Sequence, residues 1–132
     1  MENYKYKDLT DIIIKAFYCV YNELGFGFLE NVYQNALYYE LLKRGFTVEA
    51  QKAIHVYYKT HLVGNYKADL IVNELIILEL KAAACLVHEN ELQLINYLKS
   101  TDKEVGLLFN FGIKPEVRRK AFDNDRKSFL KK

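Results

Sequence analysis

The run Leu75-Ile76-Ile77-Leu78-Glu79-Leu80-Lys81 constrains the fold of this chain more than any other segment. Four consecutive apolar residues fill both faces of an extended strand, the pattern of a central strand covered by other layers on each side. A carboxylate and an ammonium then interrupt the run two residues apart, so in a strand they project from the same face. A further charge, Asp69, abuts the preceding apolar run Leu70-Ile71-Val72. Charges inside segments that read as buried are costly unless paired or bound to a metal. A layered protein built on this strand must therefore bring Asp69, Glu79 and Lys81 together or carry uncompensated charge in its interior.

Which of these happens depends on the turn at Asn73-Glu74. A two-residue loop pairs Asp69 with Leu78 and sends Glu79 to the opposite face, leaving an unpaired carboxylate on each side. A three-residue loop, Asn73-Glu74-Leu75, places Asp69 opposite Glu79 and concentrates two carboxylates and one ammonium. The sequence favours the three-residue loop, or a bulge of equal effect, with Asn73 tolerating the unusual backbone of the turn.

The flanking segments supply the layers. Apolar residues at Ile13, Phe17, Val20, Tyr21 and Leu24 mark an amphipathic helix from about Asp8, ended by Gly25-Phe26-Gly27. A second helix is expected from about Leu29 to Arg44, with Leu29, Val32, Tyr33, Ala36 and Leu37 on one side and Gly45 as its stop. Thr47 to Tyr58, Tyr66 to Val72 and Leu75 to Leu80 read as strands. A third helix follows from about Glu89 to Ser100, then the buried-strand run Val105 to Phe111. Strand, helix, strand in that order implies a right-handed crossover between parallel neighbours. Val117 to Phe122 reads as an edge strand, ahead of a polar and basic tail. The expected fold class is α/β with a mixed sheet flanked by helices, in the order α-α-β-β-β-α-β-(β).

A length of 132 residues suits one domain spanning residues 1–132, large enough to bury roughly two-thirds of its unfolded surface. Nineteen basic against seventeen acidic residues leave a net charge of +2, so no global field points to nucleic acid and a binder needs a local patch. Cys19 and Cys85 lack metal-ligand spacing and read as buried free thiols, as suits a reducing cytoplasm. No segment approaches the roughly 18 apolar residues of a membrane span. No signal peptide is read at the N-terminus, so a cytoplasmic protein without a membrane partner is expected.

Taken alone, Asp69, Glu79 and Lys81 suit a structural salt-bridge cluster as well as a metal site. Two close carboxylates repel, and a hard divalent cation such as Mg²⁺ is the usual reason to keep both ionised. Lys81 beside them is suited to orienting a water or neutralising charge on a phosphate. His55, His61 and His88 are scattered and read as strand or surface residues. Arg118-Arg119-Lys120, Arg126-Lys127 and Lys131-Lys132 read as solvated surface with the capacity to meet phosphates.

The order of the remaining pieces adds to this. Gly27-Phe28-Leu29-Glu30-Asn31-Val32-Tyr33 opens the second helix. Gly64-Asn65-Tyr66-Lys67-Ala68-Asp69 precedes the Glu79-Leu80-Lys81 strand. Gln93-Leu94-Ile95-Asn96-Tyr97 and then Val105-Gly106-Leu107-Leu108-Phe109-Asn110-Phe111-Gly112 follow. From about Asp8 to Phe122 this series resembles the GxxExxY family, small bacterial proteins of the PD-(D/E)xK nuclease superfamily.

The resemblance implies a restriction-endonuclease-like core and a metal-dependent nuclease using Mg²⁺ or Mn²⁺, acting on DNA ahead of RNA. By the same resemblance, Asp69, Glu79 and the backbone carbonyl of Leu80 are the metal ligands, and Glu30 helps directly or through water. Lys81 matches the catalytic lysine. Gln93 and Tyr97 match a substrate-contacting or supporting motif and, four apart on a helix, can share a face. Tyr33 closes the name motif. Blander readings stand beside these: Tyr33 and Tyr97 as core aromatics with satisfied hydroxyls, and Glu30 as a favourable charge at a helix N-terminus. The chain is too short to hold a separate recognition domain, which leaves sequence specificity to a homo-oligomer or partner protein. The alternative functions are a catalytically silent nucleic-acid-binding or assembly module, and a hydrolase of small phosphoesters.

Overall fold

In a computed structural model that describes residues 4–130, three helices enclose a five-stranded mixed sheet. The elements are α1 (Lys7–Leu24), α2 (Glu30–Lys43), β1 (Val48–Tyr58), β2 (His61–Val72), β3 (Ile76–Lys81), α3 (His88–Lys99), β4 (Val105–Phe111) and β5 (Pro115–Ala121), followed by two short 3₁₀ turns. Strands are ordered β1-β2-β3-β4-β5. Only the β3–β4 pair is parallel, and α3 makes the crossover. The doubly apolar run therefore occupies the middle of the sheet, where layers cover both of its faces.

Alternation along β2, β3 and β4 divides the interior into two cores. Leu70, Val72, Ile76, Leu78, Leu80, Leu107 and Phe109 pack under α1 and α2. Ile71, Ile77 and Leu108 pack under α3 with Leu94, Tyr97 and Leu98. The larger core is organised by aromatic stacking. Phe17 of α1 lies parallel to Phe109 with centroids 4.4 Å apart, and Tyr33 of α2 lies on Phe111 at 4.2 Å. Such pairs add about 0.5–1.5 kcal/mol each beyond area burial. On the other face Gly106 permits close approach of α3: a Cβ there would lie 2.6 Å from Leu94 Cδ1. Its place in a buried strand reflects that contact.

The β2–β3 hairpin has the register that the charges require. Val72 pairs with Ile76 and Leu70 with Leu78, leaving Asn73, Glu74 and Leu75 as the loop and Asp69 opposite Glu79. Asn73 and Glu74 both have positive φ, 52° and 57°, and the Leu75 amide closes the turn on the Val72 carbonyl at 2.9 Å. Asn73 is tied further to the start of β1, its Oδ1 accepting from the Thr47 amide at 3.0 Å.

Several expectations need correction. β2 starts at His61, not near Tyr66, because His61–Asn65 pairs with the outer half of β1. That segment lacks an alternating pattern of its own, and only cross-strand pairing makes it extended. Cys19 and Cys85 are both exposed. Residue 19 falls off the Ile13–Phe17–Val20 face of α1, and Cys85 lies in the exposed Ala82–Cys85 link after β3. Of the basic tail, Lys127 is buried, its ammonium held by the carbonyls of Thr101 and Lys103 at 2.8 and 2.7 Å. Lys131 and Lys132 lie outside the described residues. Among the described residues no helix is long and apolar enough to cross a membrane.

Asn73→Ala is expected to lower stability by about 1–2 kcal/mol, through loss of the Thr47 bond and of a residue tolerant of positive φ. Urea denaturation with an unchanged m-value would establish this as a loss of native-state stability.

Candidate active site

Beyond Leu70–Leu78 the regular β2–β3 ladder stops, and side chains take its place. Glu79 Oε1 accepts the Asp69 amide N–H at 3.0 Å, and Asp69 Oδ2 accepts the Leu80 amide N–H at 2.8 Å. Each carboxyl thus satisfies a backbone donor of the opposite strand where the strands part. Buried amides need a partner, so the two carboxyls are components of the sheet as well as charges. The three-residue turn sets this up: it puts both residues on the α3 face and at the same level.

The pair is electrostatically costly. Glu79 is only 4% exposed, and burial together with the neighbouring Asp69 pushes its carboxyl up to about 9. Asp69 is also raised, mainly by burial, against the opposing pull of the Leu80 N–H and the Lys81 charge. Without a cation the two share a proton at neutral pH, as close carboxyls do. Two backbone N–H bonds leave most of their lone pairs unused, and these oxygens suit a hard divalent cation.

Lys81 leaves the sheet on the same face two residues after Glu79, and its charge acts on Asp69, Glu79 and Glu30. Asn110, its partner in β4, is fully buried and clamps the strand exit. Asn110 Oδ1 accepts from the Ala83 amide at 2.9 Å, while Nδ2 donates to the Ala83 carbonyl at 3.0 Å and to Glu116 Oε1 at 2.9 Å. The position of Lys81 is therefore held from beyond the end of β3.

The helices deliver the remaining residues from two layers. On α3, Gln93 Nε2 donates to the Tyr97 hydroxyl at 3.0 Å. Burial and the charges of Glu79 and Asp69 push that hydroxyl up to about 12, so it stays protonated beside the pair. Gln93, Tyr97 and Tyr66 line a cavity of about 340 Å³. Glu30 arrives from the other layer in the first turn of α2. Partial burial of its carboxyl end and the charge of Asp69 raise it, while Lys81 pulls it down. Glu30 remains apart from the pair: among the described residues no three His, Cys, Asp or Glu side chains converge closely enough to hold a metal.

Tyr33 is a core residue and a loop anchor. Its buried hydroxyl donates to the Gly25 carbonyl at 2.6 Å and accepts the Phe28 amide at 3.2 Å, fixing the loop that leads into Glu30. His55, His61 and His88 are exposed on the surface. Arg118, Arg119 and Lys120 are engaged locally: Arg118 with Glu116, Arg119 with the Lys5 carbonyl and the Tyr4 ring, and Lys120 with Glu91. Sequence reasoning missed two glutamines at this site. Gln51 of β1 donates to Gln34 Oε1 at 2.7 Å and to Asp69 Oδ1 at 3.4 Å. Asn110 also went unremarked, although an amide inside the apolar run Leu107–Phe111 is itself a signal of a required hydrogen-bond clamp.

A mixed sheet between helical layers, parted at a carboxylate pair with a lysine beside it, is a restriction-endonuclease-like α/β fold. The family model described as the PD-(D/E)XK nuclease superfamily matches residues 7–120, and the chain belongs to that superfamily. Membership supports a nuclease-like function. Neither the comparison with curated proteins nor that with solved structures returns a match.

The proton on Glu79 has a measurable consequence. Its folded pKa of about 9 lies above the ordinary value of 4.5, so the folded state holds the proton more tightly than the unfolded chain. This contribution to stability is complete below the ordinary value and is lost as pH rises toward the folded one. In EDTA, thermal stability is expected to fall progressively from about pH 5 to about pH 9. Glu79→Gln, which keeps an acceptor for the Asp69 N–H, should flatten that decline and raise the melting temperature at pH 8 by several degrees. A scan of melting temperature against pH for both proteins checks this.

Proposed function

We propose that this chain, acting as one domain in the cytoplasm, is a metal-dependent nuclease that hydrolyses phosphodiester bonds, with DNA as the first candidate substrate. The observation that carries the reading is the buried Asp69–Glu79 pair, whose mutual repulsion only a proton or a cation relieves, with Lys81 on the same face. The finer likeness to GxxExxY proteins, through Gly27, Glu30 and Tyr33, supports the same reading.

In this mechanism Asp69, Glu79 and the Leu80 carbonyl would hold Mg²⁺ or Mn²⁺, with Glu30 contributing through water. The cation, when bound, neutralises charge on the scissile phosphate and lowers the pKa of an attacking water. Lys81 orients that water for in-line attack and offsets the negative charge that builds on the phosphoryl oxygens. Tyr97, kept neutral by its surroundings, donates its hydroxyl proton toward substrate oxygen while Gln93 holds the ring's orientation. Because Asp69 and Glu79 would have to be ionised to hold a cation, their affinity for one would rise with pH.

The test is cleavage of end-labelled single- and double-stranded DNA and RNA with Mg²⁺, Mn²⁺ or EDTA. Wild type should cleave only with metal, and Asp69→Ala or Lys81→Ala should each lower kcat/KM by about 10²-fold or more. Activity indifferent to both substitutions would sink the mechanism. Binding without cleavage, in wild type and variants alike, would indicate a silent nucleic-acid-binding module instead.

A further inference from the structure

The geometry points to Gln51 as a positioning residue of the metal centre: its carboxamide, anchored by Gln34, aims Asp69 and ties the helix bearing Glu30 to the strand bearing Asp69. This inference rests on the metal-dependent reading above.

The first observation is backbone conformation. Five described non-glycine residues have positive φ. Tyr6 precedes α1, Lys59 sits in the β1–β2 turn, and Asn73 and Glu74 form the β2–β3 turn. Gln51 alone, with φ 53°, interrupts a strand. No connection demands it, since the chain runs on extended to Tyr58 before it reverses. The ladder pairs Ala50 with Leu70 and Lys52 with Ala68 and passes over the position between them, where Gln51 stands opposite Asp69. A left-handed residue without glycine's freedom is strained, and such strain persists where surrounding structure requires it.

The second observation is where the side chain goes. Gln51 Nε2 lies 2.7 Å from Gln34 Oε1 and 3.4 Å from Asp69 Oδ1. One amide nitrogen carries two hydrogens and can serve both acceptors. The orientation of both amides follows, because the Asp69 carboxylate accepts and cannot donate once ionised. Gln34 lies one helical turn after Glu30 on α2, so the bridge spans the two layers at the site.

The choice of an amide also has a chemical reason. Lysine or arginine in this place would pair with Asp69 and compete with a cation for its charge. A neutral donor restricts the carboxylate while leaving that charge available. Oδ2 already serves the Leu80 N–H, so with Gln51 on Oδ1 each oxygen retains a lone pair in a determined direction. Hydrogen bonds to metal-ligating groups commonly change metal affinity by 10–100-fold when removed.

The competing explanation is that the irregularity only twists an edge strand. Gln51→Gly separates the two, because it keeps the left-handed backbone, relieves its strain and deletes the amide. Melting temperature in EDTA and Mn²⁺ affinity by isothermal titration are measured for wild type, Gln51→Gly, Gln34→Ala and the double variant. The expected result is a Gln51→Gly protein at least as heat-stable as wild type whose Mn²⁺ affinity is about 10-fold weaker. Gln34→Ala, which leaves β1 untouched, should weaken Mn²⁺ binding in the same direction, and should add little in the Gln51→Gly background because both act through one bridge. Unchanged Mn²⁺ affinity in both single variants, with wild type binding normally, overturns the positioning role alone. Wild type that takes up no Mn²⁺ overturns the metal-dependent reading, and this inference with it. Should Gln51→Gly fail to fold, Gln34→Ala decides the question by the same affinity measurement.

Discussion

Two strands part at the centre of this protein, and carboxyl groups rather than carbonyls satisfy the amides exposed by the parting. Glu79 serves the Asp69 N–H and Asp69 serves the Leu80 N–H. Neither group can be removed without orphaning a buried donor, and neither can ionise fully beside the other without compensation. The structure thereby couples a feature of sheet architecture to a need for positive charge. Most of the other placements at the site follow from that coupling: Lys81 on the same face, the neutral Tyr97 beside it, and Gln51 of β1 opposite Asp69, where the β1–β2 ladder skips a pair.

The surrounding fold serves to make this arrangement rigid. The turn residues Asn73 and Glu74 accept left-handed backbone so that the hairpin has an odd loop. Asn110 locks the exit of β3 from the neighbouring strand, and Gly106 leaves room for Leu94 of α3, the helix that carries Gln93 and Tyr97. Tyr33 organises the loop ahead of Glu30 from within the aromatic core. These contacts come from the β2–β3 turn, β4 and α2, and support from several segments at once is the usual way to hold a charged constellation within fractions of an ångström.

Charge chemistry made the hairpin register legible from the chain alone. Period-two patterning is unforgiving, and only one loop length brought Asp69 and Glu79 to one side. The central place of β3, the parallel partner β4 and all three helices were legible for similar reasons, since long periodic segments and buried runs carry strong local signals. Weak local signals misled. His61–Asn65 reads as loop because its strand state derives from β1. Cys19 and Cys85 read as buried because apolar neighbours in the chain do not reveal which way a helix face or a link turns. Lys127 reads as a surface cation, yet acceptors supplied by distant residues bury it.

The sequence by itself determined the layer order, the register of the carboxylate pair and membership of the nuclease superfamily. The first two rest on periodicity, on turn chemistry and on the expense of stranded charge, all of which are local; membership rests on the ordered motifs that match the family model over residues 7–120. Only the tertiary structure decided the protonation of Glu79, the separation of Glu30 from the pair, and the roles of Gln51, Gln34 and Asn110. Each depends on desolvation or on hydrogen bonds between segments far apart in the chain. Burial and long-range geometry are properties of the packed molecule, and no spacing along the sequence encodes them.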